Sequence, residues 1–290
     1  MQKRVIIMGA AGIAIILTVL GLNTARNAAG WQPITHTPAQ REAMLAGSWR
    51  IMHPNTPGPH KAAILLSGCD GVHDNMDYWA GIMLDRNRMV MVLDSHIPRR
   101  LDRVQAWRAV CAGQVLPGSE RAGDLAVALD ALHRMPGVDP SETLVLGASH
   151  GGWTAMELMS ELNEPMPPPG LSAWPRPPAE LAAQIGPLVL LYPYCGMLSH
   201  GDEARWPQHV SGLMILAQND SITDPTACRS MADKLVGKAA DLHMVTLPGT
   251  NHGFDQSERS ALSSLEFDPA ARSKATGLVE DFLQDFASAH

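Results

Sequence analysis

At 290 residues, 46% of them apolar and 18% charged, the chain is long enough to bury a sizeable core and too apolar to stay disordered. Its 29 acidic residues outnumber its 22 basic ones, for a formal charge of −7. With no Lys/Arg run in the sequence, this excludes the electrostatic footprint of a nucleic-acid binder and leaves a small molecule as the expected partner.

The first thirty residues stand apart from the rest. Gln2-Lys3-Arg4 precede an uncharged apolar run from Val5 to Leu22, a positive flank followed by a hydrophobic segment, which is the pattern of an export signal. The run is longer than most signal cores and barely long enough to span a bilayer, and Asn27-Ala28-Ala29-Gly30 is a mediocre cleavage site. A cleaved signal and an uncleaved membrane attachment through residues 5–22 both stay open. Either way the remainder is expected outside the cytoplasm, in the periplasm, secreted, or anchored. A core helix starting at residue five behind two cations is the lesser alternative.

Residues 31–290 read as a single α/β domain. Trp31 to His60 is polar, and its Pro-Asn-Thr-Pro-Gly-Pro tract is expected to turn between two early strands. Apolar strands are then predicted at Ala62–Ser67, Met89–Asp94, Thr143–Gly147, Pro187–Tyr192, Leu213–Gln218 and Leu242–Leu247. Helices are predicted at Trp79–Arg86, Ser119–Met135, Thr154–Leu162, Thr226–Val236 and Ser273–Phe286. This alternation implies a mostly parallel sheet covered on both faces, with its ligand crevice at the carboxyl ends of the strands. Pro165 to Pro178 breaks the rhythm and is expected to be a surface excursion near that crevice, a lid or a plain loop.

The stretch Leu144-Val145-Leu146-Gly147-Ala148-Ser149-His150-Gly151-Gly152-Trp153 places Gly-x-Ser-x-Gly between a buried strand and a helix. Small residues at the flanking positions let strand and helix approach closely, and the tight turn between them presents the serine hydroxyl above the sheet. The alternative is a Gly-rich structural turn. A serine hydroxyl becomes a nucleophile only when a base takes its proton, and that base needs a carboxylate to fix its tautomer. The order serine, acid, histidine is met by Asp220, directly after Leu213–Gln218, and by His252, in the turn after the last strand. Asp224 is the rival acid, although its place before Pro225 suits a helix cap. Of the other histidines, His150 is expected to point away from the hydroxyl, His243 lies within a strand, and His200 and His209 precede the acid.

Acyl transfer also requires donors for an oxyanion. The backbone N–H of His150 is one candidate. The other comes from Gly68-Cys69-Asp70-Gly71, with Cys69 preferred and Asp70 second. The loop Cys69 to Asp77 mixes carboxylates with His73, yet its spacing matches neither a zinc nor a calcium pattern, so caps for the following helix are preferred to a metal. Arg99 and Arg100 are read as a salt bridge beneath the site ahead of a contact to an acidic substrate group. The methionines and tryptophans are expected in the core and pocket lining. The four cysteines permit three pairings. Cys69 and Cys111 follow one pair of adjacent strands, and Cys195 and Cys228 another, so those two bridges are expected, with buried free thiols as the alternative.

These segments together resemble the dienelactone hydrolase family of α/β-hydrolases, in particular its exported members. The likeness runs through Leu66-Ser67-Gly68-Cys69-Asp70-Gly71, Asp94-Ser95-His96-Ile97-Pro98-Arg99, Cys111, the serine turn, Leu191-Tyr192-Pro193-Tyr194-Cys195-Gly196, and Asp220 through Cys228 to His252. It covers nearly everything after residue 50. The resemblance implies an α/β-hydrolase fold and hydrolysis of an ester or lactone without a cofactor. Two departures stand out. The namesake enzymes carry a cysteine where this chain has Ser149, which makes the chain look like a serine esterase. They also bind a substrate carboxylate through arginines, one of them shortly after the histidine, where this chain continues Gly253-Phe254-Asp255-Gln256 and reaches Arg259 only after Glu258. The expectation is therefore a small-molecule ester or lactone hydrolase using Ser149, Asp220 and His252, with no metal and no stated oligomeric state. A serine peptidase of the same fold and a catalytically silent binding protein are the rivals.

Overall fold

The computed structural model describes residues 2–259 and 265–289, with side chains from residue 12 onward. Among the described residues seven strands form one sheet in the order β1-β3-β2-β4-β5-β6-β7. The strands are β1 (Arg50–Met52), β2 (His60–Leu66), β3 (Met89–Leu93), β4 (Val138–Ala148), β5 (Ile185–Leu191), β6 (Ser211–Ala217) and β7 (Asp241–Leu247). Only β1, paired with β3, runs antiparallel. The Pro54–Pro59 tract links β1 to β2 as expected, but β1 lies outside β3, not beside β2.

Strand periodicity sorts the core into two layers. On one face Ala62, Ile64 and Leu66 join Met91, Val145 and Met214 beneath α5 (Gly118–His133), α6 (His150–Glu161) and α8 (Pro225–Gly237). On the other, Ala63 and Leu65 join Val90, Leu146 and Ile215 against α3 (Asp74–Asp85) and α9 (Pro269–Ala289). The central strands are buried along nearly their whole length, as parallel strands with both faces covered must be.

Several boundaries differ from expectation for identifiable reasons. The strand expected from Thr143 begins at Val138, because Val138 and Asp139 pair with His60 and Lys61 before the register shifts. The helix expected from Trp79 begins at Asp74. Three helices were not expected: α2 (Pro38–Leu45), α4 (Arg103–Ala109) and α7 (Pro178–Gln184). The first two carry capping boxes, Thr37 with Gln40 and Asp102 with Gln105.

Helix α1 (Gln2–Ala28) covers the apolar N-terminal run, whose residues 5–11 fall outside the described side chains. Its exposed face includes Ile13, Ile16, Leu17, Val19 and Leu22. Among the described residues no helix is long and apolar enough to cross a membrane. The last turns of α1 rest on the loop after α4: Asn23 Nδ2 donates to the Gln114 carbonyl at 2.6 Å and Asn27 Nδ2 to that of Gly113 at 2.9 Å.

The 165–178 excursion lies against α2 and α5, where Arg41 donates to the Gly170 carbonyl at 2.9 Å and Leu171 packs over Gly123. None of its residues lines the cavities beside Ser149.

Candidate active site

The order reversal between β2 and β4 makes a topological switch point, and a crevice opens at such a point beyond the strand ends. Leu66 and Gly147 sit opposite one another in the register, so the loops leaving β2 and β4 rise side by side. Ser149 occupies the turn from β4 into α6 with φ +52° and ψ −113°, a left-handed conformation that costs a non-glycine residue of order 1–3 kcal/mol. Its N–H is anchored on the Leu191 carbonyl at 2.8 Å. The two flanking glycines are required sterically. A Cβ on Gly147 would stand 2.4 Å from the Gly151 backbone, and one on Gly151 would stand 2.2 Å from the Leu66 carbonyl oxygen.

Ala217 pairs with Leu247 across β6 and β7, and this brings the next two loops together. His252 Nε2 lies 2.8 Å from Ser149 Oγ, and His252 Nδ1 lies 2.7 Å from Asp220 Oδ2. Ser149 and His252 are buried, Asp220 is half-buried, and the side chains of His252 and Asp220 are only 4% and 2% exposed. Asp220 also accepts the N–H groups of Ile222 and Thr223 at 2.9 and 2.7 Å and the Thr223 hydroxyl at 2.9 Å. Burial alone would push its carboxyl up. The His252 imidazole and these donors outweigh that and hold it below its ordinary value. Asn251 Oδ1 accepts the N–H groups of both Ser221 and His252, tying the acid loop to the histidine loop. Asp224 sits apart as the cap of α8, accepting from the Thr226 N–H at 2.8 Å.

Cys69 and His150 line the same cavity as Ser149, and neither backbone N–H donates to another group of the described residues. The His150 side chain points away, as expected: Nε2–H donates to the Leu116 carbonyl at 2.9 Å. The cavity has a volume of about 210 Å³ and is walled by Trp107, Val110, Trp153, Tyr194, Leu198 and Ile222. A second recess of about 20 Å³ opens toward Asp70, Gln256 and Leu265. Among the described residues neither lining contains an arginine or lysine, and their one carboxylate is Asp70, whose Oδ2 lies 3.0 Å from His73. Disulfides join Cys69 to Cys111 and Cys195 to Cys228. The first ties the β2 loop to the cavity wall, and the second lies in the core beneath Pro193 and Tyr194.

Other groups at the site were not anticipated from the sequence. Asp70 and Asp74, read as caps, instead bind the segment after His252. Asp70 accepts from Gln256 Nε2 at 3.2 Å, and Asp74 from the Ser257 and Glu258 N–H groups. The N-cap of α3 is His73, with no side-chain cap bond. Asp255 is fully buried and accepts from Trp79 Nε1 at 2.7 Å and from the Tyr192 hydroxyl. Burial pushes its carboxyl up against these two bonds, and the Tyr192 ring lies edge-on to His252 at 4.7 Å. Arg99 joins the expected salt bridge, donating to Asp124 at 2.8 and 3.0 Å, and Arg41 reaches the same carboxylate at 2.6 Å.

No family model matches the chain, and no curated protein matches it. Solved structures do. A Klebsiella pneumoniae protein provisionally described as a dienelactone hydrolase superposes with a TM-score of 0.61 at 14% identity, over 83% of this chain and 99% of its own. A dienelactone hydrolase-like promiscuous phosphotriesterase from metagenomic libraries gives 0.64 at 16% identity, over 82% and 98%. Thermogutta terrifontis esterase 2, in a form phosphonylated by cyclosarin, gives 0.59 at 15% identity, over 82% and 88%. The mostly parallel sheet and these likenesses establish an α/β-hydrolase fold.

Proposed function

We propose that the protein is a serine hydrolase that cleaves small, uncharged carboxylic esters or lactones through an acyl-Ser149 intermediate. The observation that carries this reading is the continuous hydrogen-bonded chain from Ser149 Oγ through His252 to Asp220 at the mouth of an apolar cavity. His252 Nε2 takes the hydroxyl proton as Oγ attacks the substrate carbonyl carbon, and Asp220 steadies the imidazolium that forms. The resulting oxyanion is received by the N–H groups of Cys69 and His150. Collapse breaks the bond to the leaving oxygen, which takes the proton from His252. Water, deprotonated by the same imidazole, then attacks the acyl carbon and frees Ser149. None of these steps needs a cofactor.

Cavity size and charge support the substrate class. A volume of about 210 Å³ is below that of sites for drug-sized ligands, and the described lining offers no arginine or lysine to receive an anionic acyl group. The two disulfides, together with the basic flank and apolar run at the N-terminus, support export to an oxidising compartment. N-terminal sequencing of the mature protein distinguishes a cleaved signal from a retained helix. The enzymatic reading is tested with a fluorophosphonate probe and p-nitrophenyl acetate or butyrate. Labelling and turnover are expected in the wild type and lost in Ser149→Ala. Equal labelling of both proteins would overturn the nucleophile.

A further inference from the structure

Arg121, on α5, is a guanidinium with no exposed surface, set directly beneath the two loops that would receive the oxyanion. Its Nη1 donates to the Ser67 carbonyl at 2.8 Å and lies 3.1 Å from His150 Nδ1. Nη2 donates to the Ser67 hydroxyl at 3.2 Å and Nε to the Ser95 hydroxyl at 3.3 Å. Because the His150 Nε2–H is committed to the Leu116 carbonyl, Nδ1 is the bare nitrogen and accepts from Arg121. One planar fork therefore spans Ser67, two residues before Cys69, and the side chain of His150.

All four of these contacting partners are neutral, with Asp124 and Asp94 acting on the charge only from farther off. The Asp124 carboxylate, one turn along the same helix, is engaged by Arg41 and Arg99. Burial pushes the Arg121 pKa down to about 10, which leaves it protonated at neutral pH. A buried cation without a contacting carboxylate is expensive, of order several kcal/mol, and an apolar side chain would pack the same space without that cost. A role in packing alone does not account for it. A fixed positive charge and rigid donors behind a developing oxyanion do, since such groups act only as charge forms in the transition state.

Resting on the hydrolase reading above, we infer that Arg121 is a positioning residue for the oxyanion hole: it sets the spacing of the Cys69 and His150 N–H groups and lends them positive potential.

The test is a split between kcat and KM. Arg121→Gln is expected to lower kcat about 10–100-fold with KM within about twofold, and to weaken phenylboronic acid, which forms a tetrahedral adduct on the serine, by the same factor as kcat. Arg121→Lys keeps the charge and one bond and should recover part of the loss. An unchanged kcat, or a loss carried in KM with boronate affinity intact, overturns the inference. If Arg121→Gln fails to fold by near-ultraviolet circular dichroism, His150→Ala decides. It cuts one link while keeping the backbone donor, so kcat should fall roughly 5–10-fold, and no fall overturns the inference. A wild type that neither turns over esters nor binds the boronate overturns the hydrolase reading and this inference with it, whereas turnover without the split overturns this inference alone.

Discussion

Removing the two disulfides one at a time should separate stability from catalysis. Cys69–Cys111 closes a loop with a sequence separation of 42 residues and Cys195–Cys228 one of 33. Loop closure in the unfolded chain is then worth about 4.0 kcal/mol for the first and about 3.7 for the second. For a domain of this size each loss should lower Tm by roughly 8–16 °C, and the two double variants, Cys69→Ala/Cys111→Ala and Cys195→Ala/Cys228→Ala, should unfold within a few degrees of one another.

Their kinetics should diverge. Cys69 carries a proposed oxyanion donor in its own backbone, and its bridge is what joins that loop to the wall at Cys111. Loss of a whole donor costs about 100–1,000-fold in kcat, so a donor that is only loosened should cost about 10-fold. The loop keeps other supports, the His96 ring 3.1 Å from the Cys69 carbonyl, Arg121 on the Ser67 carbonyl, and Asp70 held by His73 and Gln256, so it is loosened and not released. The second bridge is buried in the core and touches neither donor, so kcat should stay within about twofold of wild type. The assay is p-nitrophenyl butyrate turnover at 20 °C, paired with thermal denaturation of the same samples. Equal kcat in the two variants, with equal Tm, would refute the assignment of Cys69 to the oxyanion hole.

Four other outcomes are expected from the structure. Asp220→Asn should cost about ten-thousand-fold in kcat through the wrong imidazole tautomer, whereas Asp224→Asn, altering only a cap, should leave kcat intact and lower stability by about 1 kcal/mol or less; chromogenic ester kinetics of the pair checks this. Gly151→Ala puts a Cβ 2.2 Å from a carbonyl oxygen and should destabilise by about 4 kcal/mol or more, read as lost soluble yield or a collapsed urea midpoint. Asp124→Asn leaves Arg41 buried without its carboxylate and Arg99 with only Glu120, and should cost about 3–5 kcal/mol in denaturant unfolding. Its carboxyl, which burial would raise but the two arginines hold down to about 2, contributes stability present above the ordinary 3.8 and lost as pH falls through about 2. His96 has the opposite charge logic. Burial and the Arg121 charge push it down to about 3, so from pH 6.5 downward the unfolded chain binds the proton more readily and stability falls as pH is lowered, with His150 adding in the same direction. Urea midpoints at pH 8, 6 and 4.5 should decline in the wild type and decline less in His96→Gln, and a flat series would contradict this.

The parts of the site that were legible in the sequence are those set by local sterics. Gly147, Ser149 and Gly151 lie within five residues, and their need for small neighbours is a property of one turn, so the pattern carries its own geometry. Asp220 and His252 were legible for a related reason: each comes a few residues after an apolar strand, and parallel strands deliver their outgoing loops to a common edge. Asp220 is preferred to Asp224 because it leaves the strand sooner, while Asp224 before Pro225 also reads as a helix cap. The missed helices α2 and α4 were legible too, through Thr37 with Gln40 and Asp102 with Gln105, but their apolar faces are short and the polar surroundings masked the caps.

The layer that supports the site stayed hidden, because its partners are far apart in the chain and chemically unremarkable in isolation. Arg41 and Arg99 meet Asp124 across 83 and 25 residues, and Trp79 meets Asp255 across 176. No local pattern marks a carboxylate as destined to be shared by two arginines, since an exposed Asp and a fully buried one read alike in sequence. The Arg-x-x-Asp spacing of Arg121 and Asp124 even suggests a pair on one helix face. The structure instead directs Asp124 to Arg41 and Arg99 and leaves Arg121 to carbonyl, hydroxyl and imidazole groups. That division of partners is what puts a charge with no carboxylate in contact under the serine turn, and it arises because α2, itself unexpected, delivers Arg41 into the core.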